Sequence, residues 1–183
     1  MSLTITNAGN SVTPKSGPIR DGGQVIRVTP TVVAGTTDNN DVAIATTAIP
    51  NAVNKLGGCS KLVGLTMIDY DQQAKNIDIV LMQVNKSLGT INSAVTITDA
   101  NLKLAKLLGV LSIDWSESSI PFAALQTIHA AQHEHSTAKV LQLPMLLQAE
   151  PNSTDVYFSI VNRESITYGT VGDLELIFHI EYL

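Results

Sequence analysis

The chain has 183 residues, of which 44% are hydrophobic and 15% charged, with a formal net charge of −5. This length suits one domain with its own core. The lysines and arginines are scattered singly, so the sequence lacks the basic stripe of a nucleic-acid-binding protein. No run reaches the roughly 18 to 20 apolar residues that cross a bilayer. The single cysteine, Cys59, excludes an internal disulfide.

The first 24 residues differ from the rest in composition. The segment TNAGNSVTPKSGPIRDGGQ is dense in Gly, Pro, Ser and Asn, which interrupt regular structure. It therefore predicts an extended N-terminal arm over residues 1–24, followed by a single domain over 25–183. The opening MSLTITNAGNS also lacks the basic and apolar regions of a signal peptide, so we expect synthesis in a cytoplasm.

Strand patterns begin immediately after this arm. The first four predicted strands are QVIRVTPTVV (24–33), DVAIATTAI (41–49), KLVGLTMIDYD (61–71) and NIDIVLMQVN (76–85). The fourth is apolar on both faces, with Ile77, Ile79 and Leu81 on one side and Val80 and Met82 among those on the other. Such a pattern predicts a central strand covered from both sides, by a second sheet or by a partner.

One helix interrupts the strands. TITDANLKLAKLLG offers Thr98 or Asp99 as N-cap and Gly109 as the stop. We expect this short helix to plug one end of a sandwich. Further strands are predicted at GVLSIDW (109–115), TAKVLQLPMLLQA (137–149), DVYFSIVNR (155–163) and LELIFHIEYL (174–183).

Many strands with a single helix and no alternation of strand and helix indicate an all-β, mainly antiparallel fold. A β-sandwich is the predicted architecture, with a jelly roll as one form of it.

A histidine cluster is the main candidate for chemistry. His129 and His133 share a face if the segment is helical, whereas His133 and His135 share one if it is a strand, and Glu134 adds a carboxylate. A cupin-like site for a transition metal is therefore one hypothesis, with His179 or a carboxylate as a further ligand. The order HxxxHEH differs from the HExxH of metalloproteases. The alternative, an exposed polar loop without metal, is the one we adopt.

Other catalytic patterns are missing from the sequence. Asp69, Asp71 and Asp78 bracket a predicted hairpin, where we interpret them as solvated carboxylates, and the segment lacks the ligand spacing of an EF-hand. Neither a GxxxxGK[ST] loop nor a GxSxG elbow occurs. The sequence thus predicts a protein that is not an enzyme and has no cofactor.

Several turns and strands carry a family resemblance. They are the IPNA turn, the GG before a strand ending in D-x-D, the ID-V-LM strand, the SLGT-N-A turn, the ITDAN…LG-V segment and the ending DLELIFHIEYL. This set, covering about residues 45–115 and the last strand, resembles small structural proteins of tailed bacteriophages that are encoded beside the major capsid gene.

The resemblance implies a capsid decoration (cement) or minor head protein that binds the outside of a shell. Its expected partners are the major capsid protein and further copies of itself, most often as a trimer, and its destination is the virion. The competing hypothesis is a receptor- or carbohydrate-binding domain of a head fibre or tail. As shell contacts we predict residues of the arm and of the histidine loop, two regions rich in polar groups: Pro14, Pro18, Ile19, Arg20, His133 and His135.

Overall fold

The computed structural model describes residues 22–115, 119–121, 127–131, 134–135, 140–141, 143–169 and 173–183, with backbone alone between 119 and 141. Within these ranges the chain is mainly antiparallel β-structure with a single short helix. The elements are β1 (Gly23–Val28), β2 (Gly35–Thr37), β3 (Val42–Ile49), β4 (Cys59–Asp69), β5 (Ile77–Met82), α1 (Asp99–Ala105), β6 (Leu107–Ile113), β7 (Ser119–Pro121), β8 (Thr127–Ala131), β9 (Glu134–His135), β10 (Val140–Leu141), β11 (Met145–Gln148), β12 (Val156–Asn162), β13 (Ile166–Tyr168) and β14 (Leu174–Tyr182).

The first sheet is built around the two longest strands, β4 and β14. Its order is β1-β14-β4-β8-β7, and β11 pairs with β4 beyond the end of β8. β14 lies between strands from distant parts of the chain, with Phe178 opposite Ile26 of β1 and Leu65 of β4. All these pairings are antiparallel.

The second sheet has four antiparallel strands in the order β3-β12-β5-β6. Two short ribbons, β13-β2 and β10-β9, lie outside the two main sheets. Eight strands carry the sandwich: β1, β3, β4, β5, β6, β8, β12 and β14.

The strand order is that of a jelly roll. If these eight strands are counted in chain order, one sheet runs 1-8-3-6 and the other 2-7-4-5. Each of the eight strands therefore pairs with its counterpart from the other half of the chain, as in one long hairpin that is wound into two sheets. The predicted all-β sandwich is confirmed, and the jelly roll is the form it takes.

Alternating apolar residues of both sheets form one core. The rings of Phe158 on β12 and Phe178 on β14 meet across it, with centroids 5.3 Å apart and planes tilted by 54°. Such aromatic pairs add about 0.5–1.5 kcal/mol beyond the area that they bury. The core also includes Ile26, Leu65, Met67, Ile79, Leu81, Leu111, Ile160, Leu176 and Ile180.

A second, smaller cluster covers the outer face of the four-stranded sheet. Met82 of β5 and Val42 of β3 pack there with Leu88 of the following loop and Ala105 of α1. The second apolar face of β5 is thus covered from within the chain. The expectation that α1 plugs an end of the sandwich is wrong, because its buried residue, Ala105, lies in this cluster and not in the core.

Two predicted strands have different boundaries in the structure. β1 ends at Val28, before Pro30, so the predicted strand 24–33 was too long. The predicted strand 137–149 divides into β10 and β11 around a cis Leu143-Pro144 bond. Leu143 and Leu147 are nevertheless buried, and Pro144 is exposed. The predicted arm lies outside the described residues, except for its last three.

Candidate interaction surface

The histidine cluster falls mainly where only the backbone is described. His129 lies on β8, opposite Met67 of β4, and Glu134 and His135 form β9. His133 lies outside the described residues. Because His129 and His135 occupy strands, the helical interpretation of their spacing does not apply. The cupin-like site stays a prediction that metal analysis of untagged protein would test.

The other predicted contact residues have no described position. Pro14, Pro18, Ile19 and Arg20 lie before residue 22, where the description of the chain begins. His135 is placed only by its backbone, paired with Val140 of β10.

Among the residues whose side chains are described, no group of three or more His, Cys, Asp or Glu could hold a metal ion. The described part of the chain likewise contains no helix that is long and apolar enough to cross a membrane.

Asp69 and Asp71 stabilise the turn after β4. Asp69 is only 2% exposed, and its two carboxylate oxygens accept hydrogen bonds from the backbone amides of Asp71 (3.0 Å) and Ala74 (2.9 Å). Asp71 Oδ2 accepts one from the amide of Gly169 (2.8 Å). The interpretation of Asp69 as a solvated carboxylate is therefore wrong, since it acts as a buried acceptor for a turn.

Burial raises the pKa of Asp69, and the backbone hydrogen bonds that it accepts counteract part of this rise. Burial also raises the pKa of nearby Tyr168, and the negative charges of Asp69, Asp71 and Asp173 add to that effect. Both groups thus keep their protons more readily than in water. The backbone hydrogen bonds that Asp69 accepts support a structural role for this carboxyl.

Asp78, the third carboxylate of the hairpin, is also buried. It forms an ion pair with the half-exposed guanidinium of Arg163, which also donates to Asn40 Oδ1 at 3.2 Å. A cleft of about 160 Å³ lies beside this pair. Its carboxylate and guanidinium neutralise each other and tie β5 to the end of β12.

A larger, open cleft lies where β11 approaches the start of β6. Its volume is about 590 Å³, and it is lined by Leu56, Gly57, Gln83, Lys106, Gln148, Ala149 and Pro151. Gln83 Nε2 donates to the carbonyl oxygen of Ala149 at 2.8 Å. Lys106 is the only titratable side chain in this lining. Its ammonium lies 3.6 Å from Oε1 of Glu150, in an ion pair whose side chains are both exposed.

Two of the aromatic side chains that the structure describes are already engaged in the fold. The single tryptophan, Trp115, is buried, and its backbone amide donates to Asn76 Oδ1 at 3.0 Å. Tyr70 is partly exposed, but its hydroxyl donates to Glu175 Oε2 at 3.2 Å. Trp115 belongs to the hydrophobic core.

Exposed aliphatic side chains concentrate at α1 and the start of β6. Leu102, Leu104, Leu107 and Val110 are between 39% and 55% exposed and lie within nine residues of one another in the chain. We call these four residues the α1–β6 surface. Isolated exposed leucines are normal, whereas a contiguous apolar patch marks an interaction site, so the α1–β6 surface is the candidate for such a site. The sequence shows the leucines of α1, but it does not indicate which of them are exposed to solvent in the fold.

A scan against models of protein families and a search of curated proteins both found no match to this chain. The functional argument therefore depends on the fold and on these surfaces.

Proposed function

We propose that this protein is a non-enzymatic structural protein of a tailed bacteriophage, which binds the outside of the capsid shell and stabilises it. The proposal is supported mainly by a contrast between the polar and the apolar side chains of the protein. The described carboxylates inside the fold are engaged in turns and in an ion pair, whereas four aliphatic side chains stand exposed on the α1–β6 surface.

The fold is compatible with this role and does not select it. Jelly rolls occur in viral capsid proteins, lectins and cupins, and function belongs to the site rather than to the fold. The sequence resemblance to phage structural proteins supports the capsid role over the other two.

Stabilisation would operate by bridging. A protein that contacts neighbouring capsomers repeats the same modest contact many times over a symmetric shell, and each contact raises the effective concentration for the next. The low charged fraction of 15% favours such contacts, because few ions have to be desolvated when a surface is buried. Self-association, with the trimer implied by the resemblance, is part of the proposal.

Co-sedimentation with capsid shells that lack this protein tests the proposal. We expect saturable binding with a fixed number of copies per shell protein, and a higher temperature of shell disruption in the saturated particles. The same amount of an unrelated β-sandwich protein is the control for trapping in the pellet. Failure to sediment with shells at any ratio would refute the capsid role.

The predicted contacts of the arm are tested by removing residues 1–21. If the arm binds the shell, the shortened chain keeps its thermal unfolding temperature and loses most of its occupancy. Substitution of Pro14, Pro18, Ile19 and Arg20 by alanine in the full chain is the matched variant, since it preserves length. If both variants bind the shell with undiminished occupancy, the arm does not form the shell contact.

A further inference from the structure

The open cleft between β11 and the start of β6 is built from four separate parts of the chain. These parts lie at residues 56–57, 83, 106 and 148–151. Backbone hydrogen bonds join them: the amide of Gln83 donates to Lys106 O and the amide of Gly57 to Ser153 O, both at 3.0 Å. The cleft is therefore preformed, and its volume of about 590 Å³ lies within the range of about 300–1,000 Å³ that is usual for small-molecule sites.

Gln83 places a fixed hydrogen-bond acceptor in this cleft. The residue is only 9% exposed, and its Nε2 donates to the carbonyl oxygen of Ala149 at 2.8 Å. This bond fixes the orientation of the amide and leaves Oε1 without a hydrogen bond from any described residue. In the described part of the chain, Asn162 Oδ1 is the one completely buried side-chain nitrogen or oxygen that lacks a partner. Gln83 Oε1 is therefore accessible, and it faces the cleft that Gln83 lines.

An acceptor without a partner favours a ligand that donates a hydrogen bond. A ligand without a donor would displace water from Gln83 Oε1 and would not replace the hydrogen bond, which costs binding free energy. A hydroxyl or an N–H group fulfils this requirement. Gln148, at the end of β11, is exposed beside it, and its amide offers both a donor and an acceptor.

The charges at the cleft favour a neutral ligand. The ammonium of Lys106 lies 3.6 Å from Glu150 Oε1, so its positive charge already has a counter-ion. A phosphate or carboxylate ligand would have to compete with this carboxylate for the ammonium. A neutral ligand need not do so, because the ammonium has three N–H donors and can give one of them to an oxygen atom of the ligand.

Leu56 and Pro151 supply the apolar part of the lining. Leu56 is 65% exposed, and Pro151 is exposed in the turn after β11. Among the described lining residues none is aromatic, so a flat aromatic ligand would find no ring on which to stack. Aliphatic side chains beside amide and ammonium groups match a ligand in which C–H groups alternate with hydroxyl groups.

We propose that this cleft binds a neutral sugar. A hydroxyl of the sugar donates to Gln83 Oε1, while Lys106 and Gln148 donate to its other oxygen atoms. Its C–H groups pack against Leu56 and Pro151. This inference goes beyond the proposed function and does not depend on it: a chain that binds shells without sugar refutes the cleft alone, and one that binds sugar without shells refutes the capsid role alone.

NMR titration of the ¹⁵N-labelled full chain with the methyl glycosides of glucose, galactose, mannose and N-acetylglucosamine tests the site. We expect at least one of them to shift the side-chain amide of Gln83 and the backbone amides of Gly57 and Ala149 saturably, with a dissociation constant of about 10 mM or lower. Inorganic phosphate, the anionic probe, should bind more weakly than that glycoside. No saturable shift from any of the four glycosides, or tighter binding of phosphate, would overturn the proposal.

Gln83→Met removes the acceptor and largely preserves the shape of the side chain. Because methionine has no amide, the dissociation constant of the glycoside should rise by at least about tenfold. Leu56→Ala covers the case in which that variant does not fold, since Leu56 is exposed, and the loss of its apolar contact should raise the dissociation constant about threefold or more. Leu183→Ala, at an exposed leucine outside the lining, is the matched control and should bind like the wild type. A folded Gln83→Met or Leu56→Ala variant with unchanged affinity would refute the site.

Discussion

Asp69 is a buried carboxylate that stabilises a turn by accepting hydrogen bonds from its backbone. Two backbone amides donate to it, and burial still holds its pKa above the ordinary value of 3.8. Since the folded pKa is the higher one, folding favours the protonated carboxyl. The stabilisation from proton binding is complete below 3.8 and is lost as the pH rises through the folded pKa.

Asp69→Asn tests this dependence. The variant cannot titrate, so the stability of the wild type relative to it should increase from about pH 7 to about pH 4. A constant offset of about 1 kcal/mol against the variant is also expected, because one amide then faces an NH₂ group. Urea unfolding at both pH values measures the difference, with exposed Asp99→Asn as control. Equal differences at the two pH values would contradict the assignment.

Substitution by alanine is expected to have opposite effects on stability at two glycines. Gly57 has φ +66°, and a Cβ there would lie 3.0 Å from Pro151 Cα. Gly64 is in β4, where a Cβ would make ordinary contact with His179 at 3.5 Å. We expect Gly57→Ala to lower the free energy of unfolding by about 1–2 kcal/mol. Gly64→Ala should leave it unchanged or raise it by roughly 0.5 kcal/mol. Urea unfolding of both variants decides, and equal effects would be unexpected.

At the scale of elements, α1 has the role of a cover. Thr98 accepts a hydrogen bond from the amide of Asn101 at 3.3 Å and fixes the start of the helix, whereas Ala105 at its end is fully buried beside Met82. The apolar outer side of β5 therefore needs no partner chain at this point.

Ala105→Glu should displace this cover. A carboxylate forced into the cluster has no described partner there, so we expect at least about 2 kcal/mol of destabilisation and increased binding of a hydrophobic dye. Asn101→Glu, exposed on the same helix, is the control and should behave like the wild type. An unchanged unfolding midpoint for Ala105→Glu would show that α1 does not seal the sheet.

The elements differ in how far sequence alone could reveal them. The alternation in LELIFHIEYL and the double-sided NIDIVLMQVN are local signals, and β14 and β5 follow them closely. The helix N-cap at Thr98 could also be predicted from the sequence. The break at Pro144 and the burial of Asp69 depend on distant strands, and a residue's neighbours in the chain do not determine those contacts. For the candidate surface, the leucines were visible in the sequence, but their exposure depends on how α1 packs.

At the scale of the whole molecule, the two sheets pack through one apolar core in which the rings of Phe158 and Phe178 face each other. Phe178→Ala removes one ring of the pair and leaves a cavity between the sheets, so we expect a loss of about 3–5 kcal/mol. That is a large part of the total stability of a domain, about 5–15 kcal/mol. Leu183→Ala, at an exposed position after β14, is the control. Thermal unfolding measures both, and a similar small effect for each would show that the ring pair is dispensable.

The position of β14 has a consequence for how the protein is made. β1 and β4 do not pair with each other, because β14 occupies the place between them. Both strands precede β14 in the chain, so during synthesis each keeps an open hydrogen-bonding side until β14 inserts between them. Nascent chains therefore pass through a stage with two exposed edges, and a chaperone that shields extended segments would act at that stage.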